Sequence, residues 1–309
     1  MKNIIKSAIV ILLALSFGRA NAQTSGDFLL TNPDAHVLGM ANTGAAMYAT
    51  PFAMWNNTSS TLFSENRMDI GASYGMWNPA GSSSIAVAGY GRIAKFMTIS
   101  AGFKHMGYKP YPIADASGRA GDEFKPGEWI MGVGLGFKIL PILSASANID
   151  YLSSSLAPEV KGGAFSADFG ATLDLKFLRV GVTASNIGSK LKYSEESAYA
   201  LPANVQLGVG TTQYFGAEDK HALTANVQAG MTFASSAFVA AIGAEYKWND
   251  MVRVAAGYHY GDIEKGIPSY ASVGLGVKFI GISLNGAYLL GIGDSPVGNT
   301  FTVGLGYSF

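Results

Sequence analysis

From about Arg67 to the last residue, apolar and polar positions alternate with a period of two. That is the signature of strands that show one face to an apolar phase and the other to a polar one. Trp129, Met131, Val133, Leu135, Phe137 and Ile139 interleave with Gly132, Gly134, Gly136 and Lys138. Phe165, Ala167, Phe169, Ala171, Leu173 and Leu175 alternate with Ser166, Asp168, Gly170, Thr172, Asp174 and Lys176, and Leu223 to Phe233 alternates with Thr224, Asn226, Gln228 and Gly230. A slip of one residue would turn each apolar set to the wrong side.

About fourteen such segments follow one another, near 67–75, 83–93, 96–108, 128–139, 142–153, 163–177, 179–187, 202–215, 221–233, 237–248, 251–260, 270–279, 282–290 and 299–309. Most are roughly 9 to 13 residues long, the length of a tilted strand crossing a bilayer. Connections at 94–95, 140–141, 177–178, 216–220, 248–250 and 280–281 are short. Those at 109–127, 188–201, 261–269 and 291–298 are longer and rich in Gly, Pro, Ser and charge. Short periplasmic turns alternating with longer outer loops give an all-β, transmembrane antiparallel β-barrel with an even strand number and both termini in the periplasm. Aromatic residues gather at the strand ends, Tyr246, Trp248, Phe279, Tyr307 and Phe309 on one side and Trp129, Tyr151, Tyr258, Tyr260 and Phe301 on the other, as headgroup-level girdles require.

Composition supports the membrane. Only 14% of residues are charged while 49% are hydrophobic, yet past the first residues no apolar run is long enough for a membrane helix. A soluble β-sandwich also alternates, but seldom runs this far with so little charge on its polar face. Lys2 and Lys6, the apolar run Ala8 to Phe17 and the site Ala20-Asn21-Ala22 make residues 1–22 a cleavable signal peptide, too short in its apolar part for an anchor. With no cysteine in the chain, a lipid anchor, disulfides and thiolate chemistry are excluded. Balanced charge, 21 basic against 21 acidic residues, speaks against nucleic acid.

Residues 23–66 do not alternate. Small residues, helical turns and polar breaks suggest a plug folded into a lumen too wide for its own side chains to fill, with the barrel occupying 67–309. The order Phe28-Leu29-Leu30, Pro33-Asp34-Ala35, Leu38-Gly39-Met40, Gly44-Ala45-Ala46 and Trp55-Asn56-Asn57, with Ser73-Tyr74 after it, resembles the start of the PorV family, part of the FadL-like group of outer-membrane barrels. Gly121-Asp122, Phe124, Pro126 and Glu128 resemble the family too. The resemblance implies fourteen strands, an N-terminal plug and a role carrying cargo in type IX secretion. The chain departs from it at Trp55-Asn56-Asn57-Thr58, where the family has Trp-Asn-Pro-Ala, and in its shorter outer loops.

The terminal run Phe301 to Phe309, with Tyr307 and a final aromatic, resembles the signal read by the barrel-assembly machinery. His36, His105, His221 and His259 stand at no metal spacing, the Gly-x-Gly runs lie inside strands, and no Gly-x-Ser-x-Gly elbow is present, so neither metal, cofactor nor catalysis is expected. Asp150, Asp168, Asp174, Lys176, Glu245, Lys247, Arg253, His259 and Lys278 are placed on the inner face, to pair with one another or with the plug, their mixed signs arguing against selection of one ion type. The expectation is a non-enzymatic, PorV-like accessory or carrier subunit with outer-membrane lipid and protein partners. The alternative is a FadL-like passive transporter of a hydrophobic small molecule.

Overall fold

The computed structural model describes residues 26–77, 81–114, 120–293, 295 and 297–309; the expected signal peptide lies outside them. Fourteen long strands form one closed antiparallel barrel. They are β1 (Met68–Trp77), β2 (Ser82–Ala94), β3 (Met97–Gly107), β4 (Gly127–Leu140), β5 (Leu143–Ala157), β6 (Val160–Asp174), β7 (Arg179–Gly188), β8 (Asn204–Phe215), β9 (His221–Thr232), β10 (Ala237–Trp248), β11 (Val252–Tyr260), β12 (Tyr270–Phe279), β13 (Ile282–Gly291) and β14 (Thr300–Ser308). Each pairs with its neighbours in sequence, and β1 pairs with β14 from Asp69↔Ser308 to Met76↔Phe301. Closure leaves no strand edge inside the hydrocarbon, where an unpaired peptide group would cost several kcal/mol.

The alternation in the sequence becomes the two faces of the wall. Val133, Ile149, Phe165, Leu275 and Phe279 stand exposed on the outside, whereas Ser84, Thr98, Ser100, Asn148, Thr172, Asn226 and Thr302 are buried toward the lumen. One end of the barrel carries the short turns and Phe309, and is called the turn rim. The other, the loop rim, adds a two-stranded hairpin, Tyr111–Ala114 with Ala120–Phe124, and a short ladder, Leu191–Lys192 with Ala198–Tyr199, within the two longest connections.

The lumen holds residues 26–66 as a chain of short helical turns: Asp27–Leu30, the α-helix α1 (Ala35–Gly39), Gly44–Ala46, Ala53–Trp55 and Thr58–Phe63. The described plug begins far from Phe309, and the expected periplasmic place of the N-terminus concerns residues before Gly26, outside the described ones. Gly26 packs against Leu152 and Leu201, and Phe28 sits in an apolar cluster with Met106, Ile130, Leu152, Ala164, Leu191 and Leu201, all in the half nearer the loop rim. Arg67, at the other end of the segment, bonds to Phe309 at the turn rim. The described plug therefore traverses the lumen from one end to the other.

The wall is thinned where the plug touches it. Gly39 in α1 lies against Gly274 of β12, so that a Cβ on Gly39 would stand 2.8 Å from the Gly274 Cα. Gly243 and Gly257 meet Met40, Gly181 and Gly208 meet Ala45 and Ala46, and Gly102 meets Met54 and Trp55. The strand glycines let two backbones approach closely.

Candidate functional site

The candidate site is the plugged lumen. Its first layer is the fold of the plug, organised by the residues the sequence singled out. Pro33 is buried and precedes Asp34, whose carboxylate caps α1 by accepting from the His36 N–H at 2.9 Å and accepts from the Thr50 hydroxyl at 2.5 Å. Asn32 donates to the side-chain oxygens of Asn42 and Asn56, both at 2.6 Å. Asn56 fills the space over Gly44, where a Cβ would stand 2.6 Å from its Oδ1. Asn57 caps the turn Thr58–Phe63 and donates to the Ala45 carbonyl at 2.8 Å and to Thr172 of β6 at 3.1 Å. Met40 is fully buried, and Trp55 stacks on Phe52 with ring centres 6.3 Å apart.

Charged side chains of the wall grip this segment at three places. Near the loop rim, Lys104 of β3 is wholly buried and donates to the carbonyls of Phe28 and Thr31 at 2.9 and 2.8 Å. Deeper in the lumen, His36 Nε2 meets Glu245 Oε2 of β10 at 2.5 Å. At the start of β7, Arg179 donates to the Met47 carbonyl at 3.2 Å and to Asp174 at 2.5 Å, with its guanidinium 3.8 Å above the Tyr48 ring. Charge-assisted bonds of this kind are among the stronger contacts available. Neutral bonds fill the gaps, such as Gln228 donating to the Asn42 carbonyl and Ser272 to that of Gly39.

Beneath the plug a cavity of about 570 Å³ opens at the turn rim, lined by His36, Thr50, Glu245, Lys247, Arg253 and Lys278 among others. Arg253 bonds Asn285, and Lys247 and Lys278 both reach Asp250 in the adjoining turn, at 2.7 and 3.3 Å. Burial alone would raise the Asp250 carboxyl, but the hydrogen bond from Lys247 and the charges of Lys247 and Lys278 hold it below the usual carboxylate range.

The remaining inner-face residues are dispersed. Asp150 and Asp168 face the loop-rim half. Asp168 sits at a bulge, where it accepts from the Asn186 N–H at 2.7 Å and two residues of β7 oppose one of β6. His259 stacks on Tyr270 with ring centres 4.7 Å apart and meets the Pro268 carbonyl at 3.2 Å. Lys176 lies past the end of β6, exposed in the β6–β7 turn at positive φ, at the edge of a small pocket that it lines with Met47, Tyr48 and Arg179. Phe301, Tyr307 and Phe309 are on the last strand and its end, with the rings of Tyr307 and Phe309 edge to face at 4.4 Å. Sequence reasoning missed Lys104 and Arg179. For Lys104 the signal was there, since it shares the parity of Thr98, Ser100 and Gly102 on the polar face of β3.

Among the described residues, no group of three or more His, Cys, Asp or Glu side chains converges as a metal site. The sequence matches the family described as type IX secretion system protein PorV over residues 18–234. No curated protein matches it significantly. Among solved structures the fold is similar to the toluene transporter TodX of Pseudomonas putida, at 13% identity and a TM-score of 0.63, covering 88% of this chain and 97% of that one. It is similar also to the toluene transporter TbuX of Ralstonia pickettii, with 13% identity, a TM-score of 0.58 and coverage of 88% and 96%. A Pseudomonas aeruginosa FadL homologue gives 13% identity, a TM-score of 0.54 and coverage of 90% and 99%. At such identity the likeness concerns the outer-membrane barrel fold.

Proposed function

Because the chain belongs to the PorV family of type IX secretion proteins, we propose that it is a non-enzymatic accessory or carrier subunit of an outer-membrane secretion machine, acting through protein partners at its rims. The observation that carries this reading is the way the plug is held. Lys104, Glu245 and Arg179 bind it at three places, and glycines of the wall press against its backbone. A solute using the lumen would have to displace the charged contacts that hold the plug from Phe28 to Tyr48, and an apolar solute has nothing to offer them in return. Work at the rims leaves them undisturbed. The turn rim, with its short connections, is the periplasmic one in this reading.

A second reading, passive transport of a hydrophobic small molecule, draws on the apolar cluster around Phe28 and on the fold shared with the toluene transporters. One experiment separates the two. Cells lacking the protein are compared with wild type for release of type IX cargo and for uptake of toluene, and the tagged protein is purified in mild detergent. Cargo retained in the periplasm, together with a stoichiometric protein complex, supports the accessory role. Normal secretion with impaired toluene uptake overturns it in favour of transport.

A further inference from the structure

Three rows of inward-facing residues cross β3 to β6 above the middle of the lumen. Lys104, Ile130, Leu152 and Ala164 form the first, Gly102, Gly132, Asp150 and Ser166 the second, and Ser100, Gly134, Asn148 and Asp168 the third. Gly132 makes room for an acid: its own Cβ would collide with the Asp150 carboxylate, which lies over it. Asp150 is 2% exposed, and neither of its carboxylate oxygens has a hydrogen-bond partner. Directly across the ladder the Ser166 hydroxyl, 4% exposed, is also unbonded, as is that of Ser100 in the next row.

A buried carboxylate with both oxygens unanswered is a large electrostatic cost, and native structures answer it with a partner, an ordered water or an ion. The nearby cation does not do so. Lys104 acts on Asp150 and Asp168 through space, but its hydrogen bonds go to the carbonyls of Phe28 and Thr31. Lys104 is within electrostatic reach of three acidic side chains, Asp150, Asp168 and Glu128. Glu128 is bonded by the Tyr108 hydroxyl at 2.5 Å and Asp168 by the Asn186 N–H, which leaves Asp150 as the unanswered group. The plug brings no charge to this place: Thr58 donates to Asn148, and Asn148 donates to the Met54 carbonyl.

We propose that Asp150, with Asp168 and the Ser166 hydroxyl, forms a buried site for a hard divalent cation, Ca²⁺, at the junction of plug and wall. The donors are all oxygen, which suits Ca²⁺ and not a metal that prefers nitrogen or sulfur. Acidic groups outnumber the one basic group here, which favours a cation, and the tolerance of Ca²⁺ for irregular geometry, completed by water, suits a site built across two strands. Bound there, the ion strengthens the loop-rim half of the lumen beside the plug residues that Lys104 holds.

The test uses the whole mature chain refolded in detergent from inclusion bodies, so that no lipopolysaccharide carries Ca²⁺ into the sample. Refolding is done with CaCl₂ or with EDTA, followed by gel filtration, elemental analysis and heating to the unfolding midpoint. The proposal expects about one Ca²⁺ retained per chain and a higher midpoint after refolding with CaCl₂. In Asp150→Asn both effects are lost, and in Ser166→Ala retention weakens. If Asp150→Asn does not fold, the wild-type metal content and Ser166→Ala decide. A wild-type protein without retained Ca²⁺ and with one midpoint in both media overturns the site and leaves Asp150 answered by water or a proton. Retention equal in all three proteins overturns it as well.

Discussion

Phe309 and Arg67 are joined across the barrel seam: the Arg67 N–H donates to the Phe309 carbonyl at 2.8 Å, while the Phe309 N–H donates to the Met68 carbonyl at 2.8 Å. The contact is made by the backbone and survives loss of the ring. The ring itself is exposed beside Tyr307, so it adds little to a finished barrel, less than the roughly 1.5 to 3 kcal/mol of a fully buried side chain. Phe309→Ala is therefore expected to lower the amount assembled in outer-membrane fractions while leaving heat resistance in detergent nearly unchanged. Normal membrane levels would remove the assembly-signal reading.

Lys104→Met keeps the length of the side chain and removes the charge that holds Phe28 and Thr31. Leaving these two carbonyls without their charged donor costs about 1.5 to 3 kcal/mol. With a cysteine placed at Thr31, maleimide labelling should quicken by at least about tenfold in the Lys104→Met background, since about 1.4 kcal/mol already shifts an opening equilibrium by that factor. Equal labelling rates would mean that Lys104 does not hold the plug.

Gly39→Ala places a methyl 2.8 Å from the Gly274 backbone, where neither side is a flexible side chain. A loss of about 1 to 3 kcal/mol is expected, as for overpacking elsewhere. Gly286→Ala, whose added methyl meets nothing within 4 Å, serves as the control and should stay within about 0.5 kcal/mol of wild type. Similar denaturation midpoints for the two variants would contradict close packing of α1 on β12.

Asp250 carries a pH dependence of known sign. Its carboxyl is depressed in the folded protein, so its contribution is complete above the ordinary unfolded value near ~3.9 and is lost as pH falls through the lower folded value. Asp250→Asn should be less heat-stable than wild type at neutral pH, and the gap should close in acid. Because Asp250 is more than half exposed, the gap is small. A gap that widens in acid would reverse the assignment.

The absence of native cysteine makes orientation easy to read with single introduced thiols. A cysteine at Glu159, in the β5–β6 connection of the loop rim, should react with an impermeant maleimide on intact cells, and one at Asp250 should not. The opposite pattern would invert the barrel.

The strands were legible because lipid on one side and a wet, plugged lumen on the other impose a strict parity, as in the run from Trp129 to Ile139. Parity stops being informative where a strand ends. Lys176 continues the rhythm of Asp168 and Asp174, yet the chain has already turned at Leu175, whose carbonyl accepts from the Phe177 N–H. Within the candidate site, Asp34, Asn56 and Asn57 could be marked because their types are those of local caps. The grip of Lys104 on Phe28 joins residues 76 positions apart, and no local pattern encodes such a pair. The direction of the plug was hidden for the same reason, being set by which wall residues receive Phe28 and Met47.

A segment that runs the length of the lumen, and continues at Arg67 into the first strand, constrains the order of biogenesis. Once β14 has zipped onto β1 the ring is complete, and the segment could reach Lys104, Glu245 and Arg179 only by threading through the closed lumen as an extended chain. Laying the plug down first, with the sheet wrapping around it and the last strand locking the enclosure, avoids that passage. In that order the N-terminal segment serves as the mandrel on which the cylinder is wound.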